Sequence, residues 1–342
     1  MRARKLFTAV DTHTEGMPTR VVTAGFPPLP GRTMLERSHH VATTLDGWRR
    51  LLMYEPRGHQ AMSGAILTPP IRDDADLGVV YIEVTGCLPM CGHGTIGAVT
   101  AAIETGLVDV AEPTTTVRLD TPAGLVVATA TVEAGQCRSV TLTNVPAFLA
   151  IQDAVLQVSG WGAGGPTQVT VDVAFGGNFY VICPADALGL SIDPGDASSL
   201  IAGGRAVMAA ANEQLSIVHP AEPAISGTHH VLFTADPTTG AEGLEAAGTV
   251  VIDPGYLDRS PCGTGTSARM AQMHARGALG LDQPLVHTSI INSGFTGRLV
   301  GETTVGGTAA VIPTITGRAW ITALNQLVLD PTDPYPEGFL IA

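Results

Sequence analysis

The chain predicts an α/β (α+β) protein made of two similar halves, and three observations carry that prediction. One motif occurs twice: Met90-Cys91-Gly92-His93-Gly94-Thr95-Ile96-Gly97 and Pro261-Cys262-Gly263-Thr264-Gly265-Thr266-Ser267-Ala268 share Cys-Gly-x-Gly-Thr-x-(Gly/Ala), and the cysteines stand 171 residues apart in a chain of 342. That length suits two domains of roughly 150 to 170 residues each. Strand-like runs outnumber helix-like ones, and 40 glycines and 24 prolines supply the tight turns of antiparallel sheets.

The elements follow in chain order. A first strand leads into Asp11-Thr12-His13-Thr14-Glu15, read as a turn-rich segment in which Asp11, His13 and Glu15 are structural. A helix is expected from Leu45 to Met53, then a strand over Leu77–Val84 with alternating apolar character. The helices with the clearest ends follow the cysteine motifs, Thr95 to Glu104 closed by Gly106 and Thr264 to Arg276 closed by Gly277. Strands are expected over Leu125–Val132 and Val140–Thr143, and a further helix over Ser198–Leu215. No low-complexity linker marks a seam. It is placed at the Pro/Gly turn Asp120-Thr121-Pro122-Ala123-Gly124, which gives one half of residues 1–122 plus about 322–342 carrying Cys91 and another of residues 123–321 carrying Cys262.

Composition narrows the function. With 45% hydrophobic and 14% charged residues, most of the chain can be buried. A net charge of −13 without a long basic run gives nothing to neutralise a phosphate backbone or an anionic membrane, so neither nucleic acid nor membrane is an expected partner. The N-terminal Met1-Arg2-Ala3-Arg4-Lys5-Leu6-Phe7 lacks a signal-peptide apolar region and no 18-residue apolar span occurs, so a cytoplasmic location is expected. Five cysteines are too few and too odd for a disulfide framework and read as free thiols. Lys5 is the sole lysine, which argues against a pyridoxal phosphate Schiff base and excludes a Walker P-loop.

Both glycine loops fit the dinucleotide fingerprint G-x-G-x-x-(G/A). The first lies about 90 residues into the chain without a strand-end acid at the right distance, and pyrophosphate binding has no use for matched cysteines. Cys87, Cys91 and His93 could supply three zinc ligands, but a structural site needs four and no second pair has the usual spacing, so neither metal nor cofactor is expected. A single buried cysteine under a helix would read as packing. Two in matched settings read as chemistry: a helix N-terminus favours thiolate over thiol, and two such thiols make an acid and a base.

These blocks, with Asp11-Thr12-His13-Thr14-Glu15-Gly16-Met17-Pro18-Thr19-Arg20, Glu55-Pro56-Arg57-Gly58-His59, Gly176-Gly177-Asn178-Phe179, Asp258-Arg259-Ser260-Pro261-Cys262 and Ser293-Gly294-Phe295-Thr296-Gly297, resemble the proline racemase family over nearly the whole chain. The resemblance implies the fold of diaminopimelate epimerase: two halves, each a curved, mostly antiparallel sheet around a central helix, with the active site in the cleft between them. It implies a pyridoxal-independent isomerase acting on a small proline-type imino acid. The family includes proline racemases, 4-hydroxyproline 2-epimerases and trans-3-hydroxyproline dehydratases. The dehydratases replace one cysteine, so keeping both favours inversion, with 4-hydroxyproline the expected substrate, proline the alternative and dehydration a third reading. Cys91 and Cys262 are the expected acid/base pair, and backbone N–H groups of Gly92, His93, Gly263 and Thr264 would hold the substrate carboxylate. By resemblance, Asp258 and the His93 side chain face the substrate nitrogen. His230 is a candidate pocket residue that cannot be separated from His229; His39, His40 and His59 receive no role. A non-catalytic amino-acid-binding protein is the reading from another class, and a homodimer is left open because every motif lies within one chain.

Overall fold

The computed structural model describes residues 5–161, 167–241 and 243–341. In chain order it holds β1 (Lys5–Thr14), β2 (Met17–Ala24), α1 (Met34–Thr44), α2 (Asp46–Met53), β3 (Ser63–Thr68), β4 (Leu77–Glu83), β5 (Cys87–Leu88), α3 (Gly92–Glu104), β6 (Thr114–Thr121), β7 (Gly124–Glu133) and β8 (Gln136–Thr143). There follow β9 (Phe148–Val158), β10 (Thr167–Phe175), β11 (Phe179–Pro184), α4 (Ala197–Gln214), β12 (His230–Thr234), β13 (Thr238–Thr239), β14 (Leu244–Ile252), β15 (Tyr256–Leu257), α5 (Gly263–Ala275), β16 (Leu285–Thr288), β17 (Gly294–Val305), β18 (Thr308–Gly317) and β19 (Ala319–Leu329). Two compact units result, Met1–Leu142 with Gly317–Ala342, and Thr143–Thr316. No helix among the described residues is long and apolar enough to cross a membrane.

In the first unit the strands pair in the order β19-β1-β2-β3-β4-β6-β7-β8, parallel only at β2–β3 and β4–β6. The second unit pairs β9-β10-β11-β12-β14-β16-β17-β18, parallel only at β11–β12 and β14–β16. The two orders have the same sense at every step. Antiparallel neighbours need only a turn, whereas parallel ones need a crossover. The crossovers are the helices: α1 and α2, then α3, in the first unit; α4, then α5, in the second. Each cysteine motif therefore opens the second crossover of its unit. The first unit takes its outermost strand, β19, from the end of the chain.

Helices α3 and α5 are the centres of the two units. In α3 every residue from Gly92 to Ile103 is buried, and β1, β2, β3, β7 and β19 all pack on it. In α5 the buried run is Gly263 to Met273, against β9, β10, β11 and β17. Helix α3, apolar on nearly every side, calls for this kind of enclosure; α5 is enclosed although its buried run includes Arg269 and Gln272, which bond each other at 2.5 Å.

Two expectations change, and one helix was not foreseen. Asp120–Gly124 is not a seam: it is the turn of the β6–β7 hairpin inside the first unit, with Thr121 opposite Gly124, and the unit boundaries fall at Leu142 and Gly317. A Pro/Gly turn marks a hairpin as readily as a domain edge. Asp11 and His13 lie within β1, and only Glu15 and Gly16 form the turn. These polar residues are carried in a strand because each has a partner: Asp11 takes a two-pronged hydrogen bond from Arg20 at 2.9 and 2.8 Å, and His13 stacks on Trp320. Helix α1 escaped the sequence reading because only Met34, Ser38 and Val41 of its polar run are buried. It starts where Thr33 accepts the Glu36 N–H at 3.1 Å.

Candidate active site

In the first unit Cys91 is the N-cap of α3, in extended backbone (φ −144°, ψ 115°) and 7% exposed. Its carbonyl accepts the Thr95 N–H at 2.9 Å and the Thr95 hydroxyl at 2.7 Å; Thr95 Oγ1 lies 2.6 Å from the Tyr81 hydroxyl. The thiol folds back over the first turn, where Gly94 makes the room: a Cβ there would stand 3.0 Å from Sγ. The His93 ring lies beside the sulfur, with Nδ1 at 3.5 Å and Nε2 at 3.7 Å. The His93 carbonyl accepts the Thr14 hydroxyl at 2.8 Å, which fixes the helix start to β1.

In the second unit Cys262 caps α5 and is also 7% exposed, but its backbone is left-handed (φ +65°, ψ 110°). A non-glycine residue held there is strained unless its surroundings impose the conformation. Here they do. Asp258, 1% exposed, accepts both the N–H and the hydroxyl of Ser260 on Oδ1 at 2.8 Å, and Ser260 Oγ accepts the Cys262 N–H at 3.2 Å. Gly265 repeats the part of Gly94: a Cβ there would lie 3.2 Å from Cys262 Sγ. The Gly176-Gly177 turn seats directly on α5, since a Cβ at Gly176 would stand 2.2 Å from the Thr264 carbonyl oxygen.

Both helix starts thus present what the motif implied. The N–H groups of Gly92 and His93, and of Gly263 and Thr264, precede the first intrahelical donors, Thr95 and Thr266, whose N–H groups bond the carbonyls of Cys91 and Cys262. Among the described residues no group of three or more His, Cys, Asp or Glu could hold a metal ion.

Electrostatics sets burial against the helix end. Burial pushes the Cys262 thiol up to about 12, with the Asp258 charge adding to it and the hydroxyl of Tyr180, the Gly265 N–H and the Thr264 hydroxyl opposing. Desolvation therefore opposes the preference for thiolate that a helix start confers. The two histidines also separate. His229 is exposed, with Nδ1 3.5 Å from Asp253, whereas half-buried His230 packs its ring 4.9 Å from that of Tyr180. Burial pushes His230 down to about 4, so its imidazole is neutral.

Sequence reasoning missed Tyr180, Ser260 and the Thr264 side chain. The Tyr180 hydroxyl stands 3.3 Å from Cys262 Sγ and 2.6 Å from Thr264 Oγ1. Within Phe179-Tyr180-Val181-Ile182 a tyrosine reads as core, and nothing local announces a thiol partner 82 residues on.

The profile of the proline racemase family matches residues 9–340. A 4-hydroxyproline 2-epimerase of Streptosporangium roseum is 57% identical over 341 residues, covering all of both chains. A proline racemase of Acetoanaerobium sticklandii is 39% identical, again over the whole of both. The solved structure of a hydroxyproline epimerase from Agrobacterium vitis, with trans-4-hydroxy-L-proline bound, superimposes with a TM-score of 0.88 at 38% identity, covering 100% of this chain and 97% of that one.

Proposed function

The chain belongs to the proline racemase family and is an isomerase, and from that premise we propose that it is a 4-hydroxyproline 2-epimerase that inverts Cα without a cofactor, with Cys91 and Cys262 as its two acid/base groups. The observation that carries the chemistry is the matched setting of two buried thiols, each at the start of a 13-residue helix and each folded over a glycine three residues on. The observation that carries the substrate is the full-length similarity to the Streptosporangium enzyme.

Inversion requires a base on one face of Cα and an acid on the other. A thiolate takes the Cα proton and becomes a thiol; the electron pair passes into the carboxylate as an enolate. The other thiol then delivers its proton to the opposite face and becomes a thiolate, so each turnover leaves the pair with exchanged protons. First-turn N–H groups of Gly92, His93, Gly263 and Thr264 stabilise the developing carboxylate charge. Asp258, with the His93 ring, takes the ring ammonium. The raised pKa of Cys262 serves this scheme: a thiol that holds its proton is a ready donor, and the desolvated thiolate left behind is a stronger base toward a weakly acidic C–H.

The test is proton NMR in deuterium oxide with trans-4-hydroxy-L-proline, L-proline and trans-3-hydroxy-L-proline in separate samples. The expected result is loss of the Cα–H signal and appearance of the 2-epimer with the first substrate, abolished by Cys91→Ser and by Cys262→Ser. Preferential turnover of L-proline would make the protein a proline racemase. Either serine variant inverting substrate at the parental rate would end the two-thiol assignment.

A further inference from the structure

The second unit supplies its cysteine with a partner that the motif does not encode. Tyr180 projects from β11 into a cluster of Ala174, Ile182, Leu232, Val250, Ala268 and Cys262, and its hydroxyl is shared between the sulfur and Thr264. In such a dry setting each form of the cysteine poses its own difficulty: a thiolate wants a donor, and a thiol hydrogen wants an acceptor. A fixed donor or a fixed acceptor satisfies only one. A phenol and an alcohol 2.6 Å apart satisfy both, because each can donate or accept.

We propose, on the reading that Cys262 alternates between thiol and thiolate, that Tyr180 is a positioning residue which serves both forms by reversing a hydrogen-bond relay with Thr264. With Cys262 a thiolate, the Thr264 hydroxyl donates to Tyr180 Oη and Tyr180 donates to Sγ. With Cys262 a thiol, Sγ–H donates to Oη and Tyr180 donates to Thr264 Oγ1. No covalent O–H or S–H bond breaks in the relay; only hydroxyl and thiol rotors turn. Burial, and the negative charges of Cys262 and Asp258 beside it, push the Tyr180 phenol well above its ordinary value, so it keeps its proton throughout. The groups that face the sulfur are Asp258 from the preceding loop, Tyr180 from β11 and, at 3.8 Å, the Thr264 hydroxyl itself, with neutral His230 behind the Tyr180 ring. In the first unit the corresponding motif position is His93, and Tyr81 instead bonds Thr95, whose hydroxyl reaches the Cys91 carbonyl.

The experiment is alkylation of the full-length protein by iodoacetamide across the neutral to alkaline range, with Cys91 and Cys262 followed separately by peptide mass spectrometry. Each cysteine is compared with itself between parent and variant, so its own accessibility is held constant and a change in rate reports thiolate content. In Tyr180→Phe the Cys262 thiolate loses a donor, and its alkylation at a given pH is expected to fall on the order of tenfold, its profile moving to higher pH. Cys91 should keep its parental profile, and Cys183, fully buried on β11 of the same unit as Cys262, should stay as protected as in the parent, which shows that the variant is folded. Thr264→Val should reproduce part of the Cys262 effect and Thr264→Ser should not. A Cys262 profile unchanged in Tyr180→Phe would overturn the proposal, as would a Cys262 that is unreactive in both proteins at every pH. The readout needs no turnover, so a protein that fails to epimerise substrate refutes the catalytic assignment separately from this one.

Discussion

Glycine does two different jobs in the repeated motif, and substitution separates them. At Gly94 an added Cβ would meet Cys91 Sγ at 3.0 Å; at Gly97 it would meet Thr12 Oγ1 at 2.7 Å and Thr19 Cβ at 3.2 Å. Gly94→Ala therefore displaces the Cys91 sulfur, the atom that reacts under the proposed two-thiol scheme, while Gly97→Ala pushes α3 away from β1 and β2. Misplacing a reacting group by about an ångström costs on the order of a hundredfold in rate, so a shift of a few tenths is expected to cost roughly several-fold. Overpacking a helix–sheet contact costs roughly 1 to 3 kcal/mol. Gly94→Ala is expected to lower kcat with little change in the urea midpoint, and Gly97→Ala to lower the midpoint with most of kcat retained; paired kinetics and urea titrations check both. Cys91, Cys262 and their glycines were legible because a backbone that must come close to a ligand or a sulfur leaves a spacing in the chain. Tyr180 and Ser260 were not, because their roles rest on contacts that only the folded sheet and loop create.

At the scale of elements, β10 and the end of α5 are joined by an ionic network. Arg276 donates to both oxygens of buried Asp172, at 2.8 and 2.7 Å, and to Asp153 at 2.6 Å; Gln272 also donates to Asp172 at 2.6 Å. Burial alone would raise the Asp172 carboxyl, but the hydrogen bonds from Arg276, Gln272 and the Asp153 N–H outweigh it and hold the group below its ordinary value. The stability this supplies is present above the ordinary aspartate range and is lost as pH falls through the lowered folded value. Arg276→Ala leaves a buried carboxylate with less compensation. Allowing for the 35% exposure of the arginine side chain, the expected loss at neutral pH is about 2 kcal/mol, shrinking as pH falls through the lowered Asp172 value, read from urea unfolding at several pH values. Most helices, such as α3 and α5, were legible from their glycine-closed apolar runs; this network was not, since Asp172 and Arg276 are 104 residues apart and charge pairs leave no period in a sequence.

At the scale of the whole molecule, the duplication was readable from two octapeptides because each opens the same crossover in the same order of strands. The return of the chain end to the first half was legible to within a few residues, about 322 against Gly317, whereas the first seam was not, because no linker marks Leu142 and the Pro/Gly turn at 120–124 closes a hairpin instead. Acid sensitivity was hidden as well. Of the histidines, His287 is fully buried, its Nδ1 2.7 Å from Thr266 Oγ1 and its Nε2 without a hydrogen-bond partner among the described residues. A second proton on that ring would bury an unsatisfied N–H, and burial, with Arg269 adding, pushes His287 down to about 3. His230 shifts in the same direction. For a base whose folded pKa lies below the unfolded value near 6.5, the unfolded chain takes up the proton first. Stability is therefore whole above about pH 6.5 and declines as pH falls toward the folded values. At pH 5 the loss from His287 alone is about 2 kcal/mol. Urea unfolding at pH 7 and pH 5 should show at least that drop for the parent. His287→Asn, less stable at pH 7, should lose less on acidification and close the gap by about the same amount; two pH curves that run parallel would show that His287 takes up its proton equally in the folded and the unfolded chain.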